Sequence, residues 1–283
     1  MKYLIILSLL LTVGCNKDVD ALLLTGTEAE YSFTNDDLDG YTVNEDWVDQ
    51  FQLTSVSPDK SETIECLYVG NPATMNTDTV FLYMHGNDGN MNPFWQAVAK
   101  MANYGGQHHY GVLMFDYRGF GNSTGTSENI GTMIADVEAC AKWLMENGVT
   151  EDRIILYGYS LGTLCGSHVA AYSDVFKTSK LVIEAPQTSA NTLIQDATGL
   201  SLQAGALSDF GYNIPEALEN YSDKVLWIHG TADGTASYEN FALFYDQYDN
   251  SKKERYIEEG AGHAIADDIG FEKMEELIRE FIK

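Results

Sequence analysis

Residues 153–162 read RIILYGYSLG, and this stretch decides the fold. An apolar run enters Gly158-Tyr159-Ser160-Leu161-Gly162, and a helical pattern follows over residues 161–172. Strand, sharp turn and helix form the context in which a G-x-S-x-G sequence makes a nucleophile elbow. The two glycines let the backbone turn tightly around Ser160, whose own dihedral angles we expect to be strained. The serine hydroxyl is then predicted to lie at the carboxyl edge of a sheet, above a helix amino terminus that favours negative charge.

The rest of the chain alternates between apolar strands and helical patterns. After a short alternating region over residues 31–69, which predicts antiparallel strands, apolar strands are predicted at 79–84, 111–115, 153–157, 181–183, 225–228 and 255–257. Helical patterns cover 93–103, 129–147, 161–172, 237–248 and 271–282. This order predicts an α/β fold with a mostly parallel central sheet and helices on both faces. Sites in such folds form at the carboxyl ends of strands.

Ser160 needs a general base, because a serine hydroxyl is a weak nucleophile until a positioned group accepts its proton. His263 is the predicted base, since it follows the last strand in a flexible Gly-Ala-Gly-His-Ala loop. The other five histidines stand before a strand, within a helix or beside a glycine at a strand end, where structural roles are usual: His85, His108, His109, His168 and His229.

The base in turn needs a carboxylate that fixes its tautomer. Asp233 follows the penultimate strand, and the chain order Ser160, Asp233, His263 is the order of Ser-Asp-His hydrolases. Taken alone, an aspartate beside Gly234 is typical of an Asx turn. Three other carboxylates remain alternatives at this stage: Glu184, Asp267 and Asp268.

Two backbone N–H groups are needed to stabilise a tetrahedral oxyanion. Leu161, directly after the candidate nucleophile, is predicted to supply one. The second is predicted to come from residues 85–90, HGNDGN, which follow the first long parallel strand. Asn87 is the preferred donor in that loop, and Asp88 is the alternative.

Five segments together resemble the serine-hydrolase branch of the α/β-hydrolase superfamily, over roughly residues 60–283: HGN at 85–87, DYRGFGNS at 116–123, GYSLG at 158–162, HGTAD at 229–233 and GH at 262–263. The resemblance implies an α/β-hydrolase fold with a Ser160, Asp233, His263 triad, and a structural role for residues 116–121 at the floor of the site. The sequence departs from the family at residues 234–236, Gly-Thr-Ala, where a valine and a proline are frequent.

The first fifteen residues predict export. Lys2 precedes an apolar run over 4–11, which is too short to span a bilayer and ends in Thr12-Val13-Gly14-Cys15. The segment resembles a bacterial lipoprotein signal, although Thr12 stands where a larger aliphatic residue is usual. The resemblance implies a signal peptide over 1–14, lipidation of Cys15, a lipid-anchored tether over 15–30 and a location at the membrane of the bacterial cell envelope. An ordinary secretory signal cleaved nearby is the alternative.

Charge excludes two classes of partner. The chain has 283 residues, with 16 basic and 42 acidic side chains and a net charge of −26. Such a surface is repelled by nucleic acids and by anionic lipid headgroups, so neither is predicted to bind through electrostatics.

Residues 31–283 are predicted to form a single domain, with a short lid-like insertion over 187–224. Apart from Cys15, three cysteines remain, and an odd number cannot form a complete disulfide framework. Cys140 and Cys165 lie in apolar helical patterns and are predicted core thiols. Whether Cys66 pairs with either of them is left open.

No metal or cofactor is predicted. Residues 35–40, NDDLDG, have acidic groups at alternate positions before a glycine, as in a calcium loop. However, Asp46 stands where the bidentate glutamate is required, and the flanking sequence is not helical. A polar turn is therefore the prediction.

The predicted function is that of a serine hydrolase resembling a carboxylesterase, which cleaves an ester-type carbonyl of a small acyl substrate through an acyl-enzyme. The short insertion favours modest substrates over long-chain triglycerides. Thioester and peptide or amide cleavage on the same fold remain alternatives. A non-catalytic binding module is the alternative from a different class, and the filled catalytic positions disfavour it. The sequence does not predict the oligomeric state.

Overall fold

The structure is a computed structural model that describes residues 24, 26–36, 38, 40–58, 60–106, 108–189, 192 and 212–283. Cys15, the predicted signal peptide over 1–14 and most of the predicted tether lie outside the described residues, as do residues 190–191 and 193–211 of the predicted insertion.

One eight-stranded sheet organises the described chain. Its strands are β1 (Val48–Val56), β2 (Ser61–Val69), β3 (Thr79–Met84), β4 (Tyr110–Phe115), β5 (Ile154–Tyr159), β6 (Lys180–Glu184), β7 (Lys224–Gly230) and β8 (Lys253–Glu258). The spatial order is β1-β2-β4-β3-β5-β6-β7-β8. β1 pairs with β2 and β2 with β4 in antiparallel fashion, and all pairs from β4 to β8 are parallel. The carboxyl ends of six strands therefore meet at one edge.

Helices follow the parallel strands. They are α1 (Trp95–Met101), α2 (Ile130–Glu146), α3 (Gly162–Tyr172), α4 (Ile214–Glu219), α5 (Tyr238–Tyr245), α6 (Ile265–Ile269) and α7 (Phe271–Phe281). Both faces of the sheet are buried. Val80, Leu82 and Met84 of β3 join one core cluster, and Phe81 and Tyr83 join the other. Successive side chains of a strand point to opposite faces, so a strand covered on both sides is apolar throughout.

The predicted fold class is confirmed: this is the α/β-hydrolase fold, with a mostly parallel sheet between helices. All six predicted parallel strands and all five predicted helices are present, with ends that differ by up to three residues. The short helices α4 and α6 were not predicted. Among the described residues of 31–69, only β1 and β2 are strands. The described residues of 26–44 form no strand.

The part of the predicted tether that is described is not free of the domain. Thr27 donates its N–H to Gly89 O at 2.9 Å, and Asn122 Nδ2 donates to Ala29 O at 2.9 Å. Polar backbone groups that lack regular secondary structure are satisfied in this way by the loops beneath them. Residues 26–30 therefore dock on the domain, and the tether stays a prediction for the residues before them.

Part of the predicted insertion over 187–224 also belongs to the domain. Ile214 and Leu218 of α4 are fully buried in the same core cluster as Val169 of α3. A helix that buries its apolar side chains in this way is part of the core, not a lid. Any lid is therefore shorter than the insertion that the sequence predicts.

The DYRG segment contains a buried arginine with several hydrogen bonds. Arg118 is buried with Asp136 of α2, and its Nε and Nη2 atoms donate to Asp136 Oδ1 at 3.0 and 2.8 Å. Arg118 also donates to the hydroxyls of Ser55 and Ser57. A buried charge is tolerated when its hydrogen bonds are satisfied, and this cluster joins the loop after β4 to α2 and to the end of β1.

The three described cysteines are buried free thiols. Cys66 Sγ and Cys140 Sγ lie 4.0 Å apart. Burial raises the pKa of the Cys140 and Cys165 thiols, which suits the predicted core role. Among the described residues, no helix is both long enough and apolar enough to cross a membrane.

Candidate active site

The turn after β5 has the geometry of a nucleophile elbow. Ser160 has a φ of 49°, a value that L-residues rarely adopt outside strained turns. A Cβ on Gly158 would lie 2.6 Å from Gly162 O, and a Cβ on Gly162 would collide with the backbone oxygen of Met84. Only glycine fits at both positions, so the sequence forces the chain to reverse tightly around the serine.

Ser160, His263 and Asp233 lie together, although they are far apart in sequence. Ser160 Oγ is 2.8 Å from His263 Nε2, and His263 Nδ1 is 2.8 Å from Asp233 Oδ2. A carboxylate only accepts hydrogen bonds, so His263 Nδ1 carries the proton and Nε2 is left to accept one from the serine hydroxyl. This arrangement is the one that general-base activation of a serine requires.

Asp233 is held in place by groups other than His263. Its Oδ1 accepts the backbone N–H groups of Thr235 at 2.8 Å and Ala236 at 2.9 Å. Burial would raise the pKa of this carboxyl, but hydrogen bonds from His229, His263 and the Ala236 N–H outweigh burial and hold the pKa well below its usual range. The Asx turn that the sequence suggested is therefore present, and the same carboxylate also faces the histidine.

His229 supports this acid. Trp227 Nε1 donates to His229 Nδ1 at 3.0 Å, which fixes Nδ1 as an acceptor and leaves the proton on Nε2. His229 Nε2 lies 3.0 Å from Ala236 O and 3.2 Å from Asp233 Oδ2. The bracing role predicted for His229 is thus present, and its target is the loop that carries the acid.

The two predicted oxyanion donors border the same pocket. Leu161 directly precedes α3 and has helical dihedral angles, so its N–H belongs to the helix amino terminus, where such groups have no partner within the helix. Asn87 is exposed on the opposite rim. Asp88, the alternative donor, directs its N–H to Gly86 O at 3.1 Å.

A second histidine and aspartate are buried at the start of residues 85–90, which we call the oxyanion loop after its predicted role. His85 Nε2 is 3.2 Å from Asp116 Oδ1 and both side chains are fully buried, but no hydrogen bond joins these two atoms or reaches either of them from another described residue. His85 Nδ1 is 2.7 Å from Gly86 O and so donates to it. Tyr31 Oη donates to the other carboxylate oxygen of Asp116 at 2.5 Å. We call His85, Asp116 and Tyr31 the loop support, because they connect residues 26–34 and the loop after β4 with the oxyanion loop.

The three alternative acids have other partners. Glu184 is buried at the end of β6, where Tyr157 Oη donates to it at 2.7 Å. Burial raises the pKa of the Glu184 carboxyl to about 6, despite the hydrogen bonds from Tyr157 and the Ala266 N–H. Asp268 accepts the N–H of Gly262 at 2.7 Å, and Asp267 lies in the first turn of α6. Glu184 and Asp268 therefore hold the loop that carries His263.

The remaining histidines lie outside the pocket. His108 Nε2 accepts the N–H of Asn44 at 2.7 Å, and burial lowers the pKa of its imidazole. His168 Nδ1 lies 2.8 Å from Leu164 O within α3, and His109 packs edge-on against Tyr110. These positions agree with the structural roles predicted for them.

A pocket of about 420 Å³ opens over Ser160. Its floor is the elbow, one wall is the oxyanion loop with Phe94, and the other wall carries Gln187 and Thr235. Its described lining is Gly86, Asn87, Asp88, Phe94, Tyr159, Ser160, Leu161, Leu164, Gln187, Tyr212, Thr235 and His263. The volume is in the range of small-molecule sites.

Comparison with known proteins agrees with this architecture. Residues 79–199 match the sequence profile of the alpha/beta hydrolase fold. The chain is similar to the uncharacterized protein YfhR of Salmonella typhimurium, with 28% identity over 196 residues, which are 65% of this chain and 64% of YfhR. It is also similar to human alpha/beta hydrolase domain-containing protein 17B, with 25% identity over 212 residues, 72% of this chain and 66% of that protein. The matches thus span slightly less than two thirds of these relatives.

Among solved structures, the Pyrococcus furiosus esterase Pf2001 superimposes with a TM-score of 0.67 at 18% identity, over 92% of this chain and 96% of the esterase. At this identity the likeness concerns the fold. The profile match and the superposition both agree with the α/β-hydrolase fold described above.

Sequence reasoning missed three contributors to the site. Tyr31 gave no signal, because its contact with Asp116 spans 85 residues and depends on how residues 26–34 dock. Gln187 is the first residue of the predicted insertion, and no sequence pattern indicated that it lines the pocket. The contact of His229 with Asp233 was foreseeable, since they stand four residues apart on either side of a tight turn.

Proposed function

We propose that this chain is a serine hydrolase that cleaves carboxylic esters of small acyl groups through an acyl-enzyme. One observation carries the proposal: Ser160 Oγ, His263 and Asp233 form a continuous chain with 2.8 Å at each step, on the floor of an open pocket. The α/β-hydrolase fold and the likeness to an esterase support the same class.

The reaction follows from this geometry. His263 Nε2 accepts the proton of Ser160 as Oγ attacks the carbonyl carbon, and Asp233 stabilises the imidazolium that forms. The N–H groups of Leu161 and Asn87 hold the oxyanion of the tetrahedral intermediate. His263 then gives the proton to the departing alcohol, and a water molecule activated by the same imidazole hydrolyses the acyl-enzyme.

Hydrolysis of 4-nitrophenyl butanoate tests the proposal. The wild-type domain is expected to turn over, whereas Ser160→Ala is expected to lose activity by about 10⁴-fold or more while keeping its circular dichroism spectrum. Ser237→Ala, a serine that does not line the pocket, is the matched control and is expected to stay active. Equal turnover in wild type and Ser160→Ala would refute a serine mechanism.

The leaving group is tested with the same acyl chain on oxygen, sulfur and nitrogen. We expect the butanoyl ester to react with a higher kcat/KM than the matched thioester and amide. A preference for the thioester or the amide would move the assignment to a thioesterase or an amidase, with the same three residues.

We also propose that the domain is exported and anchored through lipid on Cys15, as residues 1–15 suggest. Incorporation of labelled palmitate and recovery in the membrane fraction are expected for the full chain. Both are expected to disappear in Cys15→Ala. Release of a soluble, unlabelled protein from the wild type would instead indicate an ordinary secretory signal.

A further inference from the structure

Gln187 carries a buried acceptor in the wall of the pocket. The residue follows β6 by three positions, is 6% exposed and lines the cavity with Ser160 and His263. Its Nε2 donates to Thr235 O at 3.2 Å. A backbone carbonyl can only accept, so this bond fixes the amide orientation and determines which atom is left over.

The atom left over is Oε1. It is shielded from solvent and has no hydrogen-bond donor among the residues that the structure describes. Buried acceptors in folded proteins are nearly always paired, and an unpaired one costs free energy that a donor on a bound molecule recovers. An orphaned acceptor in the wall of a candidate substrate pocket therefore indicates a donor on the ligand.

The charge around the pocket limits what that donor can belong to. Among the described lining residues, Asp88 is the only one with a permanent charge, and His263 is the only titratable base. Among the described lining residues, an anionic substrate therefore meets no permanent cation, while a neutral or cationic donor meets an acceptor and a favourable field.

We propose that Gln187 determines substrate specificity by accepting a hydrogen bond from an uncharged or cationic donor of the ester substrate, a hydroxyl, an amide N–H or an ammonium group, near the scissile carbonyl. The inference rests on the proposed ester hydrolysis and narrows its substrate class. Esters that carry a carboxylate or phosphate at this position are disfavoured. Gln187 takes no part in proton transfer, and its effect is on which ester reaches Ser160 productively.

Matched ester pairs test this assignment. The first pair is propyl butanoate and propyl 3-hydroxybutanoate, and the second is propyl butanoate and 3-hydroxypropyl butanoate, so that the hydroxyl is placed on either side of the ester. Acid release gives kcat/KM for each ester. In at least one pair, the hydroxylated ester is expected to react about tenfold faster or more, which corresponds to about 1.4 kcal/mol. The monoanionic monopropyl succinate is expected to be the poorest substrate.

Gln187→Met is the informative variant, because it keeps the length of the side chain and removes the acceptor. The ratio of kcat/KM between hydroxylated and plain ester is expected to fall to about one. The ratio isolates recognition from any shift of the Thr235 loop, since a shift lowers both values together. Labelling by a fluorophosphonate verifies that Ser160 is still reactive in the variant. The neighbouring Thr188→Val, which does not line the pocket, is expected to leave the ratio unchanged.

Charge is tested by Asp88→Asn and Gln187→Lys. Both are expected to raise kcat/KM for monopropyl succinate relative to propyl butanoate, and Gln187→Lys more strongly, because it introduces a cation that can still donate to Thr235 O. Loss of this gain in high salt would identify it as electrostatic.

A wild-type enzyme that hydrolyses all the esters without preference, or an unchanged ratio in Gln187→Met, would overturn the specificity assignment and leave the hydrolase proposal intact. Absence of hydrolysis for every ester, with no fluorophosphonate labelling of the wild type, would instead overturn the proposed function on which it rests.

Discussion

Two of the histidine–aspartate contacts among the described residues, His263 with Asp233 and His85 with Asp116, differ in what the far nitrogen of the imidazole meets. His263 lies 2.8 Å from Asp233, and its other nitrogen faces the Ser160 hydroxyl in a pocket where 21% of the His263 side chain is exposed. His85 lies 3.2 Å from Asp116, is fully buried, and directs its other nitrogen to the Gly86 carbonyl. The first pair can move a proton to a reacting atom, and the second can only hold a loop.

The difference arises from the loops that carry the two histidines. His263 stands in a Gly-Ala-Gly-His-Ala loop that brings the imidazole back over the sheet edge. His85 ends β3 and is enclosed by the rings of Phe94, Tyr117 and Phe120. Access to solvent and the identity of the third partner, more than the pair itself, distinguish the dyad proposed as catalytic from the buried one.

Removal of each histidine gives the largest expected contrast. His263→Ala is expected to lower kcat for 4-nitrophenyl butanoate by about 10⁴-fold or more with little change in Tm, because only the general base is lost. His85→Ala is expected to lower kcat by about 10²-fold, the order of one oxyanion donor, and to lower Tm clearly. A folded His85→Ala as inactive as His263→Ala would break the distinction between the two pairs.

Replacement of Asp233 and of Asp116 by asparagine tests the same difference between the two histidine–aspartate contacts. Asp233→Asn is expected to reduce kcat by about 10⁴-fold, because an amide cannot stabilise the imidazolium. Asp116→Asn is expected to destabilise the fold by about 1–3 kcal/mol, because the buried hydrogen bond from Tyr31 Oη then ends on a neutral amide, with a much smaller effect on kcat. Urea denaturation and steady-state kinetics on both variants provide the measurement. A large loss of kcat at unchanged stability in Asp116→Asn would contradict a supporting role.

The pKa values of two carboxyls in the site are shifted in opposite directions by burial and by hydrogen-bond partners. Asp233 has a depressed pKa, so its stabilising contribution is present above the unfolded value of about 3.9 and is lost as the pH falls below it. Glu184 has a pKa raised to about 6, so the folded state binds its proton more tightly than the unfolded state does. The Glu184 contribution is therefore greatest at low pH and is lost as the pH rises through about 6.

Glu184→Gln tests the predicted loss of the Glu184 contribution to stability as the pH rises. The difference in unfolding free energy between wild type and variant is expected to change by about 2 kcal/mol between pH 4 and pH 7, with the wild type losing stability relative to the variant as the pH rises. Urea denaturation across this range measures it. Tyr157, Tyr159, His263 and Asp267 all act on this carboxyl or lie near it, so the comparison between variants is needed to isolate Glu184. A difference that is independent of pH would exclude the shift.

Tyr31→Phe probes the outer end of the loop support and has the smallest expected effect. Loss of the hydroxyl removes its bond to Asp116 and the bond that it accepts from the Asn122 N–H at 3.0 Å. We expect a destabilisation of about 1–2 kcal/mol and a decrease in kcat of a few-fold. Tyr110→Phe, at the amino end of β4, is the matched control, because only ring contacts are formed by its side chain among the described residues. An unchanged kcat at reduced stability would limit the role of Tyr31 to folding.

The sequence predicted the part of the site that depends on local geometry. The elbow glycines, the strand-end positions of Asp233 and His263, and the loop after β3 follow from strand, turn and helix patterns in an α/β sheet. The loop support and Gln187 depend on contacts across 85 and 48 residues, and no periodicity in one sequence encodes such pairs. The docking of residues 26–30 could not be predicted either, because its hydrogen bonds join distant loops and belong to no helix or strand.

The central claim is that Ser160, and no other serine, is activated by His263 and Asp233. The most direct measurement is the site of phosphonylation by a fluorophosphonate, determined by peptide mass spectrometry of the native protein. We predict one label per chain on the peptide that contains Ser160, a rate that drops sharply in His263→Ala, and labelling that persists in His85→Ala. No label, or a label on another serine that is independent of His263, would contradict the account.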